Sequence, residues 1–191
     1  MMTMRIWLRN SLLLGIFAGL SACTPLTSLP VGNRNVPQPS KSVEVDRYLG
    51  RWHELYRYDA PFQKDCEAVA ADYSRDANGT IRVWNSCRKG AVDGPVKTAT
   101  GKAKIVDAVS GAKLKVSFFG PFYGDYWVLD HADDYQWSIV GEPSGRYLWV
   151  LSRDPRPSET LKAILRARVE QLGYDWSLIR ETKHQVGSLP D

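Results

Sequence analysis

Along residues 113–119 the chain alternates, with Leu114, Val116 and Phe118 set against Lys113, Lys115 and Ser117. A period of two turns one face of a strand toward a core and the other toward water. Comparable short runs recur over 51–58, 67–74, 80–87, 96–106, 112–119, 125–130, 135–141 and 146–153, bounded by Gly, Asp, Asn and Pro. Eight such segments predict an antiparallel sandwich or barrel, and eight strands can close into a barrel whose lumen takes a small ligand. The turn between the second and third runs carries Asn78-Gly79, residues that tolerate the positive φ of a hairpin.

One segment breaks the alternation. Ser158 can cap, Glu159 suits a first helical turn, and Leu161, Ile164, Leu165, Val169 and Leu172 recur at helical spacing until Gly173. This single helix needs a surface for its apolar stripe, and the outside of the sheet is the surface on offer. Residues 174–180, YDWSLIR, then read as one more short strand.

The beginning of the chain has a different character. Arg5 and Arg9 precede the apolar run SLLLGIFAGLSA, which is too short to span a bilayer and suits a signal-peptide core. The run ends in Leu20-Ser21-Ala22-Cys23, which resembles the lipobox of bacterial lipoproteins; that likeness makes Cys23 the lipid-attachment site and 1–22 the leader. Two acyl chains on Cys23 suffice for stable anchoring without a spanning segment. The same resemblance implies, from Thr24 in place of an aspartate, the outer membrane with the domain facing the periplasm. The stretch 23–43 is rich in proline and small polar residues and reads as a flexible tether. The domain is expected over 44–184, with 185–191 as a disordered tail.

Composition narrows the function. The chain has 191 residues, enough for one core, and its net charge of +4 is too mild and scattered to imply a nucleic-acid partner. His53, His131 and His184 lack metal-ligand spacing, and no G-x-S-x-G elbow or phosphate loop occurs, so no metal, cofactor or catalytic residue is assigned. Cys66 and Cys87 fall almost opposite each other when the second and third strands are paired outward from Ala77, which predicts a disulfide in an oxidising compartment. Glu54 shares the parity of Trp52 and Tyr56; it could meet a ligand head group, and the better-supported reading is a partner for a buried arginine. Lys102, Lys104, Lys113 and Lys115 read as a solvated outer stripe.

Gly50-Arg51-Trp52 at the first strand, Asp130 ending the sixth, Arg153 closing the eighth, and the single helix that follows together resemble the lipocalin family, whose outer-membrane lipoprotein branch the lipobox also matches. The resemblance covers nearly the whole domain. It implies an eight-stranded antiparallel up-and-down β-barrel with one C-terminal helix packed outside, closed at one end by Trp52 under Arg153, with Gly50 letting the entering chain pass. It further implies a non-enzymatic carrier of a hydrophobic or amphipathic ligand such as a fatty acid, phospholipid or lysophospholipid, acting in envelope maintenance. The lining candidates are Glu54, Tyr56, Tyr73, Val83, Leu114, Val116, Phe118, Tyr126, Val128 and Trp149. Two alternatives remain: a lipocalin-fold enzyme, which needs a free cysteine or an acid–base pair in the lumen, and a partner-binding scaffold with a filled barrel. A homodimer stays open.

Overall fold

A computed structural model describes residues 29–185. The apolar leader, Cys23 and the last residues of the expected tail lie outside the described residues. A short helix α1 (Val45–Tyr48) leads into eight antiparallel strands: β1 (Gly50–Tyr58), β2 (Cys66–Arg75), β3 (Ile81–Lys89), β4 (Val96–Ile105), β5 (Lys113–Phe119), β6 (Phe122–His131), β7 (Trp137–Gly141) and β8 (Leu148–Ser152). Each pairs with its sequence neighbour, and β1 pairs with both β8 and β2, so the sheet closes on itself. Closure removes the exposed edges that an open sheet would present. The helix α2 (Glu159–Gln171) and a short strand β9 (Ile179–Glu181) follow.

Two apolar cores result, one on each side of the same sheet. Inside the barrel, Tyr48, Trp52, Tyr73, Ile81, Val83, Leu114, Val128, Val140 and Leu151 pack together. Outside it, α2 lays Leu165 and Val169 on Leu55, Leu129, Ile139, Leu148 and Val150. The helix starts where its sequence says: the Ser158 hydroxyl accepts from Leu161 N at 3.2 Å.

Three features depart from the sequence reading. Tyr135 has φ 59° and sits in the β6–β7 turn, so β7 begins at Trp137 rather than at 135. The pairing of β1 with β8 slips between Glu54 and Tyr56, a β-bulge at Leu55 that reverses the facing of everything after it. Finally, the segment composed like a tether is bound to the barrel from Gly32 onward. Gly32 N and Asn33 N donate to Gly145 O at 3.0 and 3.3 Å, Asn33 Nδ2 donates to Leu172 O at 2.8 Å, and Val43 N donates to Ser110 O at 2.6 Å. Gly145, at φ 65°, is where the two chains touch: a Cβ there would stand 1.8 Å from Asn33 O.

β9 lies against the upper half of β1 (Tyr56 to Tyr58), while the lower half (Gly50 to His53) pairs with β2. Lys183 O accepts from Ala68 N of β2 at 2.7 Å. The last strand is therefore wedged between the first two where they splay apart.

Candidate functional site

The barrel has a closed end and an open end. At the closed end α1 crosses the floor, and Trp52 is fully buried with its Nε1 donating to Tyr48 O at 2.8 Å. The Arg153 guanidinium lies 3.7 Å from the Trp52 ring centroid. Its Nη1 donates to Arg51 O at 2.7 Å, and its Nη2 donates to Arg47 O and Leu49 O at 3.0 and 2.9 Å. Arg47 and Leu49 belong to the end of α1 and the turn out of it, and Arg51 to the start of β1 before its pairing with β8 begins at His53. Gly50 sits in that turn at φ 91°, and even a Cβ would come within 3.3 Å of Arg153 Nη1. The Gly-x-Trp spacing is thus a packing requirement: bare backbone under the guanidinium, then the indole beneath it.

Above the floor stands a ring of phenols. Tyr126 Oη lies 3.0 Å from Tyr48 Oη and 2.9 Å from Tyr73 Oη, and Tyr48 Oη lies 3.1 Å from Ser138 Oγ. Burial pushes all three phenols above their ordinary range, so the ring stays neutral and marks the bottom of the usable lumen.

Higher up, the inner wall opens. Register places Val116 and Phe118 of β5, Gly124 and Tyr126 of β6, and Gly101 and Ala99 of β4 on the face that carries Leu114 and Val83 below. Leu114 and Val83 are buried, yet Val116, Phe118 and Tyr126 are only half-buried, and Ala99 and Gly124 are exposed. A Cβ added at Gly124 would meet nothing closer than 4.0 Å. Inward-facing residues that water reaches mean a lumen open at the top.

Its polar groups are few and placed apart. Arg57 Nη1 donates to Glu54 Oε1 at 2.6 Å and to Thr182 Oγ1 at 2.9 Å. Gln63 Nε2 donates to Glu54 Oε2 at 2.7 Å, while Gln63 Oε1 accepts from Trp149 Nε1 at 2.8 Å. In this corner Arg57 Nε is buried without a hydrogen-bond partner among the described residues. Across the lumen on β3, Asn85 Oδ1 is buried with no hydrogen-bond partner among the described residues. Cys87 follows on the same face and is bonded to Cys66, with Cα atoms 5.4 Å apart. Register sets Lys97 opposite Cys87 at the inner edge of the mouth, and it has no acidic partner among the described residues.

The lipocalin-like domain family matches residues 43–184. The chain is a lipocalin. It is 39% identical to the outer membrane lipoprotein Blc of Escherichia coli strain K12, over 74% of this chain and 82% of that one. It is 37% identical to temperature-induced lipocalin-1 of Arabidopsis thaliana, over 74% of this chain and 80% of the plant protein. Among solved structures it is similar to insecticyanin of the tobacco hornworm Manduca sexta, with TM-score 0.63 and 19% identity, covering 78% of this chain and 84% of that one.

In this lipocalin the structure brings together Tyr73, Val83, Leu114, Val116, Phe118, Tyr126, Val128 and Trp149 on the inner face, as the alternation expects. Tyr56 is a correction. The bulge at Leu55 turns it outward, under the segment after α2, where its ring meets Trp176 at 5.2 Å between centroids. Arg57 takes the inner position instead, and it is the buried arginine that Glu54 pairs with. Arg57, Gln63 and Asn85 escaped the sequence reading. Asn85 was within reach, since it follows Val83 by two on an alternating strand, whereas nothing in the residues around Leu55 announces a bulge. Asp130 lies outside the barrel, accepting from His131 N at 2.9 Å, 3.6 Å from Lys41 Nζ and 3.5 Å from Arg168 Nη1. The outer lysines are on the outer face: Lys115 meets Asp125 at 3.0 Å, and Lys104 and Lys113 lie over the rings of Tyr123 and Trp127.

Proposed function

We propose that this lipocalin carries one acyl chain of a fatty acid or lysophospholipid in its upper lumen, from a lipid-anchored position on the periplasmic face of the outer membrane. The observation that carries the reading is the gradient along the inner wall, from buried side chains at the floor to half-exposed apolar ones near the mouth. An apolar wall wetted only for want of an occupant gains ~0.8 kcal/mol for each methylene that replaces water there. The head group stays near the mouth, where Lys97 offers a charge to a carboxylate or phosphate and Asn85 offers its unpaired oxygen to a hydroxyl. The phenol ring sets the depth. The Glu54 carboxylate is spent on Arg57, Gln63 and Thr182, so it takes no part in head-group recognition.

The anchoring half of the reading is supported by the lipobox ending at Cys23 and by the outer-membrane lipoprotein name of the Escherichia coli relative. Carriage without reaction is supported by the Cys66–Cys87 bond, which occupies both cysteines of the barrel. Mass spectrometry of the organic extract of protein purified from bacterial envelopes tests it, followed by uptake of a fluorescent fatty acid into the extracted protein. The expected result is a single-chain lipid at one per barrel, displaced by the probe. A barrel that arrives empty and takes up neither fatty acid nor lysophospholipid would be a scaffold, and the carrier reading would fall.

A further inference from the structure

The first described residues reach the barrel at its mouth, although the segment ends at its floor. Gly32 and Asn33 are held by Gly145 in the β7–β8 loop, at the open end, and Gly32 O accepts from Asp175 N at 2.9 Å. From there the chain runs down the outer wall until Val43 pairs with Ser110 beneath the closed end. Nine peptide units separate Cys23 from Gly32. Fully drawn out they reach about 30 Å, and a relaxed coil of that length spans roughly 17 Å. Strand β1 alone, with nine residues, is about 30 Å long. A barrel standing floor-first on the membrane would hold Gly32 about one barrel length above it, and the tether would have to be taut. Mouth-first, it is slack.

The mouth is also built to meet something apolar. Phe62 in the β1–β2 loop and Phe119 and Phe122 at the β5–β6 hairpin are 60%, 79% and 78% exposed. Phe62 is backed by Tyr147, 5.7 Å between centroids, rather than folded into the lumen. The charges on the surrounding loops are mixed, with Lys64, Lys89 and Arg146 against Asp65, Asp93 and Glu142, so the rim is fitted to a surface it enters by its aromatic rings rather than one it attracts by net charge.

We infer that the barrel is held mouth-down, with Phe62, Phe119 and Phe122 seated in the head-group layer of the bilayer that holds the acyl chains of Cys23. The inference rests on the proposed acylation of Cys23. Its consequence for carriage is that an acyl chain passes between bilayer and lumen without crossing open water. The floor has exposed apolar residues of its own, Ile105, Val106 and Val109, and they serve as the comparison.

The test uses the full-length protein purified from membranes and reconstituted into phosphatidylethanolamine–phosphatidylglycerol vesicles. With Cys23 acylated and Cys66 bonded to Cys87, a Phe119→Cys or Val109→Cys substitution supplies the single free thiol for a fluorescent label. Nitroxide-bearing lipids should quench the label at position 119 several-fold more than the label at 109. Equal quenching, or stronger quenching at 109, overturns the orientation. Intact mass of the same samples separates the two readings: an unmodified Cys23 removes the anchor and the inference with it, whereas an acylated chain with a dark floor label sinks the orientation alone. As a second readout, the Phe62→Ser, Phe119→Ser, Phe122→Ser variant should melt like the parent and move a bound fatty acid between vesicles several-fold more slowly; an unchanged rate counts against the seated rim.

Discussion

Arg57 and Glu54 meet at 2.6 Å with both side chains out of water, inside a barrel otherwise lined for an apolar guest. The pair joins three stretches of chain, since Arg57 also donates to Cys66 O at 3.2 Å and Thr182 Oγ1 donates to Glu54 Oε1 at 2.5 Å. Removing one partner strands the other as a buried charge, a loss of about 3–5 kcal/mol, while removing both into apolar residues returns much of it. Urea denaturation should therefore rank Glu54→Gln and Arg57→Met well below the parent and the Glu54→Leu, Arg57→Met double variant above either. A double variant as weak as the sum of the singles would show the two side chains to be energetically uncoupled and would overturn this account.

The floor plug makes a sharper demand on shape. Arg153→Ala leaves the carbonyls of Arg47, Leu49 and Arg51 without donors and uncovers the indole, for about 2–3 kcal/mol. Arg153→Lys keeps the charge but loses the planar fork, and it should recover less than half of that. Thermal melting measures both. Lipid stoichiometry in the surviving folded fraction should stay as in the parent, because the plug lies below the phenol ring.

Filling the lumen tests where the ligand sits. Gly124 faces inward, is exposed and has free space where a Cβ would go. Gly124→Trp should abolish fatty-acid uptake in fluorescence titration while moving the urea midpoint by less than about 0.5 kcal/mol equivalent. Retained uptake would place the ligand outside the upper lumen.

His53 supplies a pH dependence. It lies outside the barrel against His184, 5.7 Å between ring centroids, and burial, reinforced by the nearby charge of His184, lowers its pKa to about 4. The unfolded chain, with an ordinary histidine near 6.5, takes up more protons between those values, so acid favours unfolding. The contribution is whole above about pH 6.5 and is lost as pH falls toward 4; allowing for solvent at this groove, it amounts to about 1–2 kcal/mol. Denaturation series at pH 7 and pH 4.5 should differ less for His53→Gln than for the parent by that amount.

The strands, the outer helix, the disulfide partners and the plug were all legible in the residues, because each leaves a local mark: alternation in β5, the Ser158 cap, two cysteines equidistant from a turn. What stayed hidden depends on backbone geometry that side chains do not announce. The bulge at Leu55 exchanged Tyr56 for Arg57 on the inner wall without a glycine or proline to signal it. The strap from Gly32 to Val43 is held by main-chain atoms at Gly32, Asn33 and Val43 as well as by the side chains of Asn33 and Lys41, and composition does not record the main-chain bonds. Arg57 goes unnamed in the sequence because arginine seldom gives up water unless a carboxylate waits for it, and the pairing with Glu54 depends on the bulge.

The wedge of β9 between β1 and β2 fixes when the barrel can finish. On the edge turned away from β8, Tyr56 to Tyr58 find their ladder partners in residues 179–181, and Ala68 bonds to Lys183, all more than a hundred positions further along the chain. Until those positions emerge the seam on that side stays unlaced, and the nascent chain must remain apart from its neighbours with its two oldest strands still waiting for its youngest.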